Sequence, residues 1–168
     1  MDATRDDLEE LIGEHEAIMA YMRFLAKSLD GLAAQSICPK ERVWSYCWGL
    51  NDFRDAIKRH LEVDERILKA LPGDASEEDP LQEHREIQEL VDDMIKVADI
   101  SIVDKLRTED LNQYAVKIGV AFNRIFKLIE MHIARENVIL AHVKKAMNNS
   151  EAKKRPPALR NQPGNKAD

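Results

Sequence analysis

Cysteine is scarce in this chain: Cys38 and Cys47 are the only two in 168 residues. They form no CxxC pair, so a thiolate metal site is excluded, and two thiols make no disulfide framework. A bridge between them is geometrically awkward, because Cys38 precedes a helix start and Cys47 falls two turns inside that helix. Both are expected as small apolar packing groups. No apolar run approaches the roughly 18 residues of a membrane span, and the segment Met1 to Glu10 holds no apolar signal-peptide core, so a cytoplasmic protein is expected. Excess basic charge is also missing. The net charge of −6 argues against nucleic acid as a partner, since phosphate binding needs a basic face. Glycine and proline number only six each, and no strand pattern of alternating residues competes with helix.

What remains is a helical globular composition, 44% hydrophobic and 33% charged, in one domain long enough to bury a core. Four amphipathic stretches predict four helices. The first runs from about Thr4 to Ala33, with Thr4 and Asp7 spaced as a capping box and a stripe at Leu8, Leu11, Met19, Met22 and Leu29. The second runs from about Pro39 to Leu71, stopped by Pro72-Gly73. The third runs from Asp79-Pro80 to about Ile102, and the fourth from Thr108 to about Met147. Short connections predict an all-α, antiparallel up-down-up-down four-helix bundle over 1–147. Residues 148–168 hold Pro156, Pro157, Pro163 and Gly164 and carry net +3, leaving −9 for the rest. That composition predicts a disordered tail able to contact a protein partner.

Four of the five histidines fall one per helix on the core-facing stripe: His15, His60, His84 and His132. Two are followed four residues later by a carboxylate, as His60 with Asp64 and His132 with Glu136. Positions i and i+4 share a helix face, one turn apart. Burying such groups unpaired costs several kcal/mol per charge, and wrapping them around metal satisfies all six at once. A single core histidine is ordinarily satisfied by a neighbour; four in order with two carboxylates require more. The levels also match. His15 lies 19 residues before a turn ending at Ala34, and His60 lies 19 after Glu41. Asp64 is six residues before Ala70 and His84 five after Asp79. His84 is 18 residues before Ile102 but His132 is 24 after Thr108, an offset of about two turns.

Nitrogen and carboxylate ligands without thiolate suit iron or manganese, and zinc less exclusively. Six protein ligands exceed the needs of one open metal but fit two, with the carboxylates bridging and the histidines terminal. Ferritin-like sites place Glu-x-x-His pairs on helices; here order and spacing are reversed.

The segments Glu14-His15-Glu16-Ala17-Ile18, Arg59-His60-Leu61-Glu62-Val63-Asp64-Glu65, Glu83-His84-Arg85-Glu86-Ile87 and Met131-His132-Ile133-Ala134-Arg135-Glu136-Asn137 together resemble the hemerythrin-like proteins, or HHE cation-binding domain. One HxxxE is common by chance; the ordered set spans every predicted helix. The resemblance implies a non-haem centre of two Fe ions, bridged by oxo or hydroxo and by carboxylates, held by His15, His60, Asp64, His84, His132 and Glu136. It implies binding or sensing of a small diatomic ligand (O2, NO) or of iron and redox state. Alternatives are turnover of peroxide or nitric oxide, or iron delivery to damaged iron–sulfur centres. No separate catalytic acid or base stands out.

Two positions depart from the family pattern. Asp64 stands where Glu is usual; one methylene shorter, it is left with three roles, bridging, binding one metal, or acting through water. Gln88 stands where oxygen carriers have a fifth histidine, and is expected just behind the metal ligands, with weak ligation or a hydrogen bond to the bound small molecule as alternatives. In this the chain resembles the sensing and repair variants. Glu14 and Glu16 flank His15 off its face and are expected as solvated charges, and Glu65 points about 140° from His60. His142, Trp44, Tyr46 and Trp48 are expected away from the site. Met19, Ile57, Val91, Ile125 and Ile129 are expected to line an apolar cavity above the metals, admitting a diatomic.

Overall fold

The computed structural model describes residues 4–33, 38–70 and 80–154. Within them lie helices α1 (Arg5–Ala33), α2 (Lys40–Ala70), α3 (Pro80–Val97), α4 (Ile100–Lys105) and α5 (Thr108–Lys154), and no strand. The four long helices close a ring, α1 against α2 and α5, and α3 against the same two.

Local chemistry sets the helix starts. Thr4 and Asp7 form the expected reciprocal cap: the Asp7 N–H donates to Thr4 Oγ1 at 3.2 Å and the Thr4 N–H to Asp7 Oδ2 at 2.8 Å. Pro39 precedes α2, its carbonyl accepting from the N–H groups of Arg42 and Val43. Leu71 and the Pro72-Gly73 stop lie outside the described residues.

Two expected boundaries are corrected. The third helix ends at Val97 rather than near Ile102, and a separate short helix follows. Asp99 causes the break: in extended conformation, its carboxylate accepts from the Ser101 N–H at 2.8 Å and so caps α4. The Tyr114 hydroxyl then donates to Val97 O at 2.7 Å, a carbonyl freed at the break, and lies 3.1 Å from Asp99 O, which already accepts from the N–H groups of Ile102 and Val103. That bond brings residue 114, not 108, to the level of the α3 end. Counted from that level, His132 is still 18 residues along α5 and His84 13 back along α3, so most of the six-residue offset in the sequence count remains. The second correction is at the far end. α5 continues to Lys154, so 148–154 are helical rather than part of a disordered tail. Glu151, Ala152, Lys153 and Lys154 are good helix formers. Residues 155–168, the rest of the expected tail, lie outside the described residues.

The stripes bury as the spacing requires. Leu8, Leu11, Met19, Met22 and Leu29 of α1 are all buried, as are Val43, Cys47, Leu50, Phe53 and Ile57 of α2. At Gly119 on α5, an added Cβ would sit 2.7 Å from Leu29 Cδ2, so a residue without a side chain lets α1 approach. Both cysteines are buried free thiols. Burial pushes the Cys47 thiol up to about 12, which leaves it inert. Among the described residues, no helix is long and apolar enough to cross a membrane.

Candidate metal centre

The buried hydrophobic residues divide into two clusters. The larger takes in Ile18 to Leu61 of α1 and α2, and Ile87 to Ile133 of α3 to α5. The smaller holds Leu8, Leu11, Ile67 and Leu140. On α1, α2 and α5 the histidines and carboxylates lie between these apolar positions, and on α3 His84 precedes the first of them, Ile87. His15, His60, Asp64, His84, His132 and Glu136 are the six buried polar or charged residues of the described core, none more than 4% exposed. The structure therefore brings together all six residues expected from the sequence.

They sort into two halves. His15 and His60 meet edge to face, ring centroids 4.9 Å apart; His84 and His132 do the same at 5.0 Å. Glu136 lies between the pairs and divides its oxygens. Oε2 is 3.1 Å from His15 Nε2 and 4.0 Å from His60 Nε2, while Oε1 is 3.2 Å from His132 Nε2 and 3.7 Å from His84 Nε2. Asp64 Oδ2 is 3.0 Å from His84 Nε2. Two donor sets follow: Asp64, His84, His132 and Glu136 with ligand atoms all within 4.8 Å of one another, and His15, His60 and Glu136 within the same limit. Glu136 belongs to both and Asp64 to one.

Outer partners fix the rings. The His60 Nδ1–H donates to Glu14 Oε2 at 3.1 Å, that of His132 to Glu83 Oε2 at 3.1 Å, and that of His15 to Asn137 Oδ1 at 2.9 Å. Glu65 Oε1 approaches His84 Nδ1 at 3.6 Å, an ion-pair distance rather than a hydrogen bond. With the proton on Nδ1, each Nε2 turns a lone pair inward. These nitrogens and all four carboxylate oxygens are buried without a hydrogen-bond partner, despite their short separations. Lone pairs facing lone pairs repel unless a cation lies between them. The separations suit one: two ligands at right angles around an ion with bonds of about 2.1 Å sit about 3.0 Å apart.

Without metal, protons must take that place. Burial opposes a charge on His84, yet Asp64 and Glu136 beside it raise its pKa to about 10. Burial raises Asp64 to about 7, against the pull of His84. Burial also works against an ionised Glu136, but His15, His84 and Asp64 around it hold its pKa well below the carboxylate range. Burial lowers His60 and His132. Such a cluster has the donor atoms and the negative charge that could hold a metal ion.

Several sequence expectations are corrected. Gln88 is exposed and does not join the six; the buried face of α3 is the narrow stripe His84, Ile87, Val91, Met94, and a step of four from His84 falls off it. Glu14 is not a free solvated charge, because it holds a histidine of the next helix. That role was invisible from α1 alone; the one available signal was a second Glu-His step at Glu83-His84. Glu65 does point away from His60, but toward His84. Met19, Ile57, Val91, Ile125 and Ile129 are all buried in the larger cluster. Of these, Met19 also lines a pocket of about 410 Å³ near the site, beside Ile12, His15, Glu16, Arg23, Ile133 and Asn137. His142 and Trp48 are exposed.

No protein-family model, curated protein or solved structure matches this chain.

Proposed function

We propose that this chain is a hemerythrin-like protein that holds two iron ions within an antiparallel four-helix bundle and binds or senses a small ligand such as O2 or NO, or reports iron and redox state. One observation carries the reading: two buried donor sets share Glu136, and every inward-facing atom in them is without a hydrogen-bond partner. Four imidazoles and two carboxylates without thiolate favour iron or manganese over softer ions. The antiparallel, up-down arrangement is supported by pairings whose residue numbers fall on one helix as they rise on the next. Examples are Tyr21 with Gly49 and His15 with His60, and Lys58 with Asp92 and Asp64 with His84.

Bound iron would supply a redox-active Lewis acid. The chain's own residues do the rest. Glu136 gives one oxygen to each half and fixes their spacing, Asp64 adds a fourth ligand to the His84–His132 half, and Glu14, Glu83 and Asn137 hold the ring tautomers. The two apolar clusters flank the layer, and the pocket between α1 and α5 reaches it at His15. The His15–His60 half, with three protein ligands, leaves coordination positions for a small ligand.

The test is iron content with visible absorption. The purified chain is expected to take two iron ions and show a charge-transfer band, and Glu136→Gln to lose at least one ion and the band. An iron-exposed wild-type chain showing neither overturns the proposal. The three-ligand half also favours a second reading, consumption of peroxide or nitric oxide; steady-state loss of hydrogen peroxide, abolished in His132→Ala, would separate turnover from binding.

A further inference from the structure

The site repeats itself. Glu14-His15 on α1 corresponds to Glu83-His84 on α3, and His60 with Asp64 on α2 to His132 with Glu136 on α5. The geometry repeats too: Glu14 reaches His60 and Glu83 reaches His132 at the same 3.1 Å, and the ring pairs are 4.9 and 5.0 Å apart. The remaining two histidines are met by the residue following each carboxylate, His84 by Glu65 and His15 by Asn137. The pairs α1–α2 and α3–α5 are thus two copies of one device, each copy reaching into the other.

The repeat is broken at two positions, and both breaks weaken the same half. Asp64 corresponds to Glu136, but only Glu136 reaches both donor sets, so the His84–His132 half has four ligands and the His15–His60 half three. Glu65 corresponds to Asn137, so His84 faces an outer carboxylate and His15 a neutral amide. A carboxylate beyond a ligating imidazole strengthens its hold on metal; an amide oxygen orients the ring without adding charge. Lys69 and Arg135 bond to Glu65 and Glu83, pinning those carboxylates while offsetting part of their charge. The pocket between α1 and α5 also reaches His15 and Asn137, placing the lighter half nearest bulk solvent.

Given the two-metal reading above, on which this rests, we propose that the two positions fill in order, the His84–His132 half first and tightly, the His15–His60 half second and exchangeably. Asn137 is the positioning residue that sets the difference. Asn137 is exposed on α5, so replacement by the isosteric Asp costs little packing.

The full-length metal-free chain is titrated with cobalt(II) against a competing chromophoric chelator. Wild type is expected to show a tight first equivalent and a weaker second. Asn137→Asp should tighten the second step about tenfold and leave the first unmoved. Glu65→Gln should weaken the first step alone. A crystal grown with one equivalent should show anomalous density between His84 and His132. Two equal steps in wild type, an unmoved second step in Asn137→Asp, or single-equivalent density beside His15 would each overturn the ordering. A wild-type chain that binds no cobalt and no iron overturns the two-metal reading instead, so the two failures are told apart.

Discussion

Asp64 shows what burial does to a single carboxyl group. It is fully buried, and burial holds its pKa near 7, above the ordinary value of 3.8. A carboxyl raised on folding supports the native state fully only below its unfolded pKa. Its contribution fades as pH rises toward 7 and is lost above it. His60 and His132, held neutral by burial, act oppositely: their contribution is present above the ordinary histidine pKa and disappears on acidification. Metal-free Asp64→Asn is therefore expected to be more stable than metal-free wild type at pH 8, by on the order of 1–2 kcal/mol once the support His84 loses is set against the gain. The difference should shrink toward pH 4. Urea unfolding of both chains at the two pH values checks this, and the same substitution should lower metal affinity. A stabilised chain that binds metal poorly is the mark of a residue kept for its site.

Helix boundaries depend on which local bond outbids the next helical turn. Asp99 was readable in principle, as an Asp before Ile100-Ser101-Ile102 in the pattern of a cap, but hydrophobic periodicity through Ala98 and Ile102 favours an unbroken helix. Tyr114 on α5 supports the outcome by donating to Val97 O, the carbonyl the break exposes. Asp99→Ala should cost about 1 kcal/mol through the lost cap, and Tyr114→Phe a similar amount. Both are measured by thermal unfolding of the full chain. If the break sets the level of His84 against His132, both variants should also weaken the first metal equivalent. Thr4 and Asp7, in contrast, needed no partner beyond their own turn, and their cap appears in the structure as the sequence predicts.

Across the whole molecule, a polar layer lies between two apolar clusters, and its charges are buried at a cost that bound cations would offset. Metal bound to the native state adds directly to folding free energy. At about 100 times its dissociation constant a ligand contributes about 2.7 kcal/mol, which for a chain of this length raises Tm by roughly 5–10 °C. Differential scanning calorimetry with metal and then with excess chelator should show that drop, and His15→Ala should show a smaller one. An unchanged Tm would leave the cluster as a proton-sharing core with no use for cations.

The sequence by itself determined which residues turn inward, because helical periodicity is a property of each segment alone. His15, His60, Asp64, His84, His132 and Glu136 could be placed on core faces, and mostly at one level, by counting along their own helices. The tertiary structure alone decided how those groups divide, since rotation and crossing between helices are set by packing. Glu136 rather than Asp64 spans both halves, Glu14 and Glu83 serve histidines on neighbouring helices, and Gln88 is left in solvent. Contacts between separate helices have no period in the chain.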